Sequence, residues 1–571
     1  MTELYGPTLP ISEEIHSMKY RSKGESFTDA MTRVAEALKD DEGHFNNFRD
    51  ILYKQRFLPA GRVQSAMGAP RKVTPYNCFV SKTIEDSMDG IMEAAKRAAE
   101  TMRLGGGIGY DFSTLRPRGA MIRSLESRSS GPLSFMGIFD AICNTISSAG
   151  HRRGAQMGVL RVDHPDVEEF IKAKNNSHNL TQFNISVGVT DKFMKAVKED
   201  TDFDLTFEGV VYKTISAKAL WDEILRSTWD WAEPGILFID RINKKNNLWY
   251  CEKIAATNPC AEQPLPPNGA CLLGSYNLTK YIVEHESKYV FNMNQLRNDI
   301  PYVVRAMDNV VDRAVYPLPE QRVEAISKRR MGLGITGVAN AIEALGFEYA
   351  SEKFLRTLKE IMGVIRDVSY RTSVEIAIEK GAFPEFNSDK YLKSGFCKTL
   401  PKDLRELIAK HGIRNSHLLS VAPTGTISLS SDNVSSGIEP VFSHYYDRTI
   451  LTFEGQKKER VEDYGYRVFK VKGKTADELS VFDHVEVLNV ASHFVDSACS
   501  KTCNVGDDVS WEDFKRVYME AYDGGASGCT TFRASGKRYG ILNASSAEDI
   551  AEEKEGDACY FDTATGLRKC E

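Results

Sequence analysis

A thiol stands between an amide and a carboxylate in Asn258-Pro-Cys-Ala-Glu262, two residues from each. A second thiol, Cys271, follows eleven positions after Cys260, beyond Pro264, Pro266 and Pro267. Side chains at i, i+2 and i+4 of an extended segment point to one side. An extended backbone here would gather Asn258, Cys260 and Glu262 in one small volume. An amide to hold a polar substrate and a general base beside the sulfur equip such a site for thiol chemistry. The plain alternative is a proline-rich surface loop with an incidental cysteine, and the motif alone does not choose between them.

Other residues offer chemistry of their own. Leu418-Leu-Ser-Val-Ala is an apolar strand running into Pro423, Thr424, Gly425, Thr426, Ile427 and Ser428. A helix starting there would aim unsatisfied N–H groups and threonine hydroxyls at an anion. A capped helix start without a ligand is the plainer reading. Cys559 and Cys570 stand on a terminal stretch with no core to serve. They read as a swinging dithiol that delivers electrons to a disulfide elsewhere on the protein. Cys143 lies in an apolar helical run and is expected in the core. Cys499 and Cys503, at i and i+4, would share a helix face, but no second pair at ligand spacing accompanies them, so no metal site is expected. Gly105-Gly-Gly-Ile-Gly109 follows a helix rather than preceding one, the wrong order for a dinucleotide fingerprint. It reads as a tight turn into a strand at Tyr110.

Periodicity outlines the elements that position these residues. Helices are predicted over 26–40, with Ser26-Phe-Thr-Asp29 as a capping box, over 87–104, 221–231, 303–314, 354–378 and 484–500. Short strands are predicted at 75–81, 183–189, 203–207, 234–239 and 529–533. Residues 57–62 read as a loop, 329–338 as a glycine-punctuated turn into a helix, and 119–131 and 174–182 as polar, flexible loops. Strands alternating with helices point to an α/β fold, a barrel or a large sheet. The expected organisation is a mainly helical region over 1–75, the α/β body over 76–545 and a redox tail over 546–571 that opens with a charged linker at 548–557.

Composition bounds the class. The chain has 571 residues, 42% hydrophobic and 27% charged, as in soluble globular proteins. A net charge of −6 gives no basic footprint for nucleic acid or membrane. No apolar run approaches the ~20 residues that span a bilayer, and the mixed charges of Met1–Arg21 do not form a signal peptide. Eleven scattered cysteines do not suggest a secreted disulfide scaffold. A cytoplasmic location is the expectation.

Motifs along nearly the whole chain resemble the ribonucleotide reductases. They are Asn258-Pro-Cys-Ala-Glu262 with Cys271, Tyr76-Asn-Cys78-Phe-Val80, Gly105–Gly109, Leu115-Arg-Pro-Arg-Gly119, Ser130–Met136, His151–Met157, Phe183–Val187, Arg330-Met-Gly-Leu-Gly334, Pro423–Ser428 and Gly437-Ile-Glu-Pro440. The resemblance implies a ten-stranded α/β barrel of two antiparallel five-stranded halves, with the 258–271 segment as a loop threaded inside. It implies that Cys260 carries a transient thiyl radical that abstracts the substrate 3′ hydrogen. Glu262 would take the 3′-hydroxyl proton, and Asn258 would hold the substrate. Cys78 and Cys271 would be the reducing pair that ends as a disulfide, and Cys559 and Cys570 would reduce it and be recharged by thioredoxin or glutaredoxin. Pro423 to Ser428 would hold the substrate phosphates of a ribonucleoside di- or triphosphate.

The cofactor class follows from the same comparison. Where the family's radical-relay class has two adjacent tyrosines, this chain has Cys529-Thr-Thr-Phe532. The short Cys260–Cys271 spacing and Gln263-Pro-Leu-Pro-Pro267 resemble the adenosylcobalamin-dependent class, in which cobalt–carbon homolysis gives the radical that oxidises the cysteine. Two alternatives remain open: a catalytic subunit that depends on a ferritin-like metal subunit, and a nucleotide-binding regulator with dead chemistry. The 77 residues before Cys78 hold no ATP-binding cone, so no shut-off by dATP is expected. A specificity site for nucleotide effectors is implied at Asp86, Arg116, Gly119 and the loops 119–131 and 174–182, normally at the interface of a homodimer.

Overall fold

Short strands and capped helices follow one another along the chain in the computed structural model, which describes residues 5–122, 126–146, 155–175, 179–452, 455–533, 535–536, 559–562 and 567–570. Four helices come first: α1 (Pro10–Tyr20), α2 (Phe27–Leu38), α3 (Glu42–Tyr53) and α4 (Gly61–Ala66). α2 is the helix predicted over 26–40. The Ser26 hydroxyl accepts from Asp29 N–H and the Asp29 carboxylate from Ser26 N–H, which closes the capping box. Residues 57–62 do not form the predicted loop. They are strand β1 (Phe57–Pro59) running into α4. Pro59 ends the strand and Gly61 begins the helix, where neither costs an internal hydrogen bond.

The sheet then assembles by crossovers. β2 (Cys78–Val80), α5 (Met88–Arg103), β3 (Gly107–Asp111), α6 (Pro132–Thr145), β4 (Gln156–Arg161), β5 (Phe183–Val189) and β6 (Gly235–Phe238) follow in sequence. The five strands pair in that order, all parallel. Two residues each form β7 (Ala256–Thr257) and β8 (Pro264–Leu265), which pair with one another. β9 (Ala270–Cys271) lies antiparallel to β2, and the next residues, β10 (Leu273–Asn277), pair parallel with β11 (Gly332–Thr336) and antiparallel with β1. β12 (Thr502–Val505) runs parallel to β13 (Gly528–Arg533), which is antiparallel to β6. The result is an eight-stranded sheet in the order β9-β2-β3-β4-β5-β6-β13-β12 and a three-stranded sheet β1-β10-β11. Single parallel bridges, Leu333 to Leu419 and Val421 to Cys499, lie between them.

Further predicted elements differ, the 303–314 helix among them, which begins at Met293. The 329–338 turn contains a full strand, β11, before its helix begins at Val338. The helix predicted over 484–500 spans Val481–Ser492 and stops. Just beyond, the Asp496 carboxylate accepts from the N–H groups of Leu418 and Leu419 and from the Tyr370 hydroxyl. Its burial pushes its pKa up to about 6. Cys499 and Cys503 therefore share no helix face: one lies on a bridge, the other in β12. Residues 121–128 form a small hairpin around residues outside the description. The linker predicted at 548–557 also lies outside it. β14 (Cys559–Asp562) and β15 (Leu567–Cys570) pair antiparallel with Cys559 opposite Cys570, and β15 runs beside the helix Gly425–Leu429. No helix among the described residues is long and apolar enough to cross a membrane.

Along the strands, one face is apolar and meets helices while the other is small or polar. Phe183, Ile185, Val187 and Val189 are buried in the apolar core, and Asn184 and Ser186 alternate with them. The same alternation puts Gly107 and Gly109 opposite Ile108 and Tyr110, and Gly332 and Gly334 opposite Leu333 and Ile335. A Cβ on Gly109 would lie 1.8 Å from the Thr257 carbonyl oxygen, and one on Gly334 2.3 Å from the Ser420 oxygen. Gly105, at φ +92°, makes the expected turn into β3, and Gly107 and Gly109 within the strand also allow close packing of backbone on backbone. Gly109→Ala is expected to expel the β7–β8 hairpin and cost about 1–3 kcal/mol or more, read as a lower Tm by calorimetry.

Candidate active site

The β7–β8 hairpin carries the Asn258–Glu262 stretch at its tip, and the stretch is not extended. Asn258 N–H donates to the Gln263 carbonyl (3.1 Å), Ala261 N–H to the Asn258 carbonyl (3.0 Å), and Gln263 N–H to Asn258 Oδ1 (2.9 Å). Ala261 takes φ +65°, the left-handed conformation a turn of this kind demands. Three outside contacts seat the tip: Asn184 Nδ2 donates to the Pro259 carbonyl (3.2 Å), and Ser420 Oγ (2.9 Å) and Ala498 N–H (3.0 Å) donate to that of Glu262. The expectation of three side chains facing one volume therefore changes. Cys260 and Glu262 line a cavity of about 160 Å³, while Asn258 is fully buried beside it with Oδ1 holding the turn. Its Nδ2 makes no hydrogen bond among the described residues.

Cys78 and Asn77 line the same cavity. Cys271 does not, but it is the register partner of Cys78 across the β9–β2 pair. Directly opposed antiparallel residues lie about 4.5–5.5 Å apart at Cα, inside the roughly 4.4–6.8 Å window of a disulfide. Both cysteines are buried.

Another wall is the turn at Pro423, Thr424, Gly425, Thr426 and Ile427. Thr424 at φ +53° precedes the helix Gly425–Leu429. Its hydroxyl is engaged inside the protein, 2.9 Å from Thr336 Oγ1 and 2.7 Å from Gly437 N–H, which donates to it. Ser428 lies outside the cavity, its hydroxyl bonded to Thr424 and Thr336. The turn therefore presents its backbone together with Thr426. Beside it, buried Lys501 donates to Glu439 (2.7 Å), which also accepts from Thr502 N–H (2.8 Å). This pairing gives the Gly437–Pro440 motif its place behind the turn. Burial and the Lys501 charge hold the neighbouring His484 well below its usual pKa.

Sequence reasoning missed one side of the cavity altogether. Lys19 and Tyr20 of α1, Arg62 and Ser65 of α4, and Arg71 line it. Nothing periodic marks them, because only the packing of α1 and α4 beside the turn brings them there. A second, smaller cavity also borders Cys260, with Ser186, Ser500, Thr502 and Thr530 in its lining and without Glu262 or Cys78. Asp86 and Arg116, predicted for effector binding, form an ion pair at 2.6 Å, with Arg116 N–H also donating to Asp86 (3.2 Å). Gly119 closes the 121–128 hairpin through its N–H to the Ser129 carbonyl (2.8 Å).

The family model "Ribonucleotide reductase, barrel domain" matches residues 76–473 and 454–532. The chain belongs to the ribonucleotide reductase family. It is 33% identical over 547 residues to the vitamin B12-dependent ribonucleoside-diphosphate reductase of Thermoplasma acidophilum, covering 90% of this chain and 68% of that protein. It is 32% identical over 554 residues to the enzyme of the same description from Mycobacterium tuberculosis, covering 92% and 76%. The vitamin B12-dependent ribonucleotide reductase of Streptomyces coelicolor is 27% identical over 552 residues, covering 82% and 57%. The family region opens two residues before Cys78, so α1 to α4 precede it in this member of the reductase family.

Mild oxidation with diamide is expected to close a Cys78–Cys271 disulfide, read by peptide mass mapping. Cys251 is exposed and serves as the reactivity control. Reaction at Cys251 with no crosslink between Cys78 and Cys271 would remove the pair from any redox role.

Proposed function

We propose that the chain reduces ribonucleotides, as the diphosphates, to deoxyribonucleotides by radical chemistry at Cys260. The observation that carries this reading is the convergence of Cys260, Glu262 and Cys78 on one cavity, with Cys271 opposite Cys78 and the Pro423–Ile427 turn alongside. The relatives' names favour the diphosphate.

The roles follow from position. Cys260 abstracts the 3′ hydrogen and returns it to C3′ once C2′ is reduced, and its burial on a hairpin tip keeps a radical from water and oxidants. Glu262, on the same tip, takes the 3′-hydroxyl proton and gives it back in the same closing step. Asn258 Nδ2 donates to the substrate while Oδ1 keeps the tip closed. Cys78 and Cys271 give two electrons and two hydrogens: the 2′-hydroxyl leaves as water, a C–H bond forms at C2′, and the thiols become a disulfide. Cys559 and Cys570, paired in register on the terminal hairpin, reduce that disulfide by exchange and are recharged by thioredoxin or glutaredoxin. Backbone N–H groups of Gly425, Thr426 and Ile427 receive the phosphates.

Adenosylcobalamin, when bound, supplies the initiating radical by homolysis of its cobalt–carbon bond. The relatives' names support this cofactor. The second cavity also reaches Cys260, but at about 20 Å³ it has room for about one water and does not hold the group as it stands.

The wider architecture belongs to the same proposal. The bridges at Leu419 and Val421 support closure of the two sheets into a ten-stranded barrel. Its parallel halves would meet antiparallel at β9–β2 and β6–β13. The units are 1–75, 76–545 and the redox tail 546–571. Effectors bind at Asp86, Arg116 and Gly119, next to a homodimer interface on α5 and α6. Met88 and Met92 stand exposed on α5, and Leu133, Phe135 and Ile142 on α6 are incompletely buried. The protein works in the cytoplasm.

Purified chain with adenosylcobalamin, a ribonucleoside diphosphate and dithiothreitol is expected to yield deoxyribonucleotide without any other protein. No product would overturn the cobalamin reading in favour of a ferritin-like partner. Cys260→Ser should lower turnover by about a thousandfold or more, as loss of a group acting in a concerted set does. The Cys559→Ser/Cys570→Ser double variant should keep one reduction per active site and lose thioredoxin-driven turnover, read by single-turnover chromatography.

A further inference from the structure

The cavity has a charge imbalance that the chemistry at Cys260 does not explain. Among the described residues, Lys19, Arg62 and Arg71 line it, against a single carboxylate, Glu262. Three positive and one negative charge leave a formal +2 in a chain whose net charge is −6. A cleft of one sign inside a protein of the other concentrates ligands of opposite charge.

All three cations come from the N-terminal helical unit, and a hydrogen-bonded frame sets them there. α1 is fastened to the stretch that follows the turn: Ser12 Oγ donates to the Leu429 carbonyl (2.6 Å), and the N–H groups of Thr8 (2.6 Å) and Leu9 (2.9 Å) donate to Asp432 Oδ1. The ring of His16 meets Gln64 Oε1 at 3.1 Å, which ties α1 to α4. Arg71 Nη2 donates to the Arg21 carbonyl at 2.9 Å, just past the end of α1. Lys19, one residue from the end of α1, is thereby held beside Pro423–Ile427.

The turn itself is neutral. Thr424 and Ser428 spend their hydroxyls on Thr336 and on each other. What remains is backbone N–H and the neutral Thr426, which orient a phosphate without balancing its charge. A guanidinium adds two parallel donors matched to phosphate oxygens, and an ammonium adds a compact charge.

We propose that Lys19, Arg62 and Arg71 bind the terminal phosphates of the nucleotide over the Pro423–Ile427 turn, which makes the N-terminal helices a substrate-recognition element. This rests on the reading of the cavity as the nucleotide site. The cations clamp the polyphosphate while the turn's N–H groups orient it, and a ribonucleoside without phosphate gains nothing from them.

The test is calorimetric binding of a ribonucleoside diphosphate, the matching unphosphorylated ribonucleoside and inorganic pyrophosphate to the full chain at two salt concentrations. Lys19→Gln/Arg71→Gln should weaken diphosphate and pyrophosphate binding by about tenfold or more and flatten its salt dependence. Binding of the unphosphorylated ribonucleoside should stay level. Lys19→Arg and Arg71→Lys should restore most of the affinity. Arg62→Gln is kept separate, because a Cβ on Gly105 would lie 2.5 Å from the Arg62 guanidinium, so this side chain also packs against the fold. Diphosphate binding unchanged in the folded double variant, or lost in parallel with ribonucleoside binding, overturns the proposal. If the double variant fails to fold, salt-independent diphosphate binding by the unaltered chain overturns it. If the unaltered chain binds no ribonucleoside diphosphate at all, the reading of the cavity itself falls.

Discussion

The structure depends on one steric condition: a backbone hairpin must lie against the polar face of a sheet at distances that no side chain permits. Gly109 faces the Thr257 carbonyl and Gly107 lies against Cys78 and Pro259, while Gly332 and Gly334 face Gln263 and Ser420. Interiors are close-packed, so such an approach succeeds only where Cβ atoms are missing. The benefit is placement. A cysteine on a solvated loop would be mobile and wet, whereas Cys260 sits on a tip gripped by Asn184, Ser420 and Ala498. The tip conformation is set from within by Asn258, whose side chain closes the turn.

The same condition separates two kinds of sulfur chemistry. After the tip the chain leaves through β8 and Pro266-Pro267 and returns as β9, which sets Cys271 against Cys78 on a different pair of strands. Cys78 therefore faces a thiol across a strand pair, and Cys260, on the hairpin tip, lies outside that pair. In the function we propose, this suits a one-electron carrier at Cys260 and a two-electron donor pair at Cys78 and Cys271. Three prolines between Cys260 and Cys271 limit how far that separation can relax.

Much of this was legible in the sequence where chemistry and local pattern coincide. The α2 capping box, the 183–189 strand and the Cys260–Glu262 pair on one cavity follow from residue types alone. What was not legible depended on distant partners. The turn expected at 105–109 is present at Gly105, but the steric function of Gly107 and Gly109 was not legible because the hairpin they accommodate is about 150 residues away. Asn258 looks like a substrate ligand, yet half of its side chain is spent on the turn. Ser428 reads as part of an anion site but bonds to Thr336, 92 residues earlier. The 484–500 helix pattern stops at Ser492, with the Asp496 carboxylate taken up just beyond by the N–H groups of Leu418 and Leu419, in a stretch expected as a strand that makes only single bridges.

The helix Gly425–Leu429 links the parts that periodicity treated as separate. Its N-terminal turn faces the cavity, the Leu429 carbonyl at its end receives Ser12 of α1, and the terminal strand β15 runs beside it. An N-terminal unit and a C-terminal hairpin more than 400 residues apart in sequence thus meet at one short helix. In the function we propose, the tail's dithiol reaches the Cys78–Cys271 pair through the cavity that Cys78 lines, so product leaves before the tail enters, and occupancy of the phosphate end and access of the reductant exclude one another.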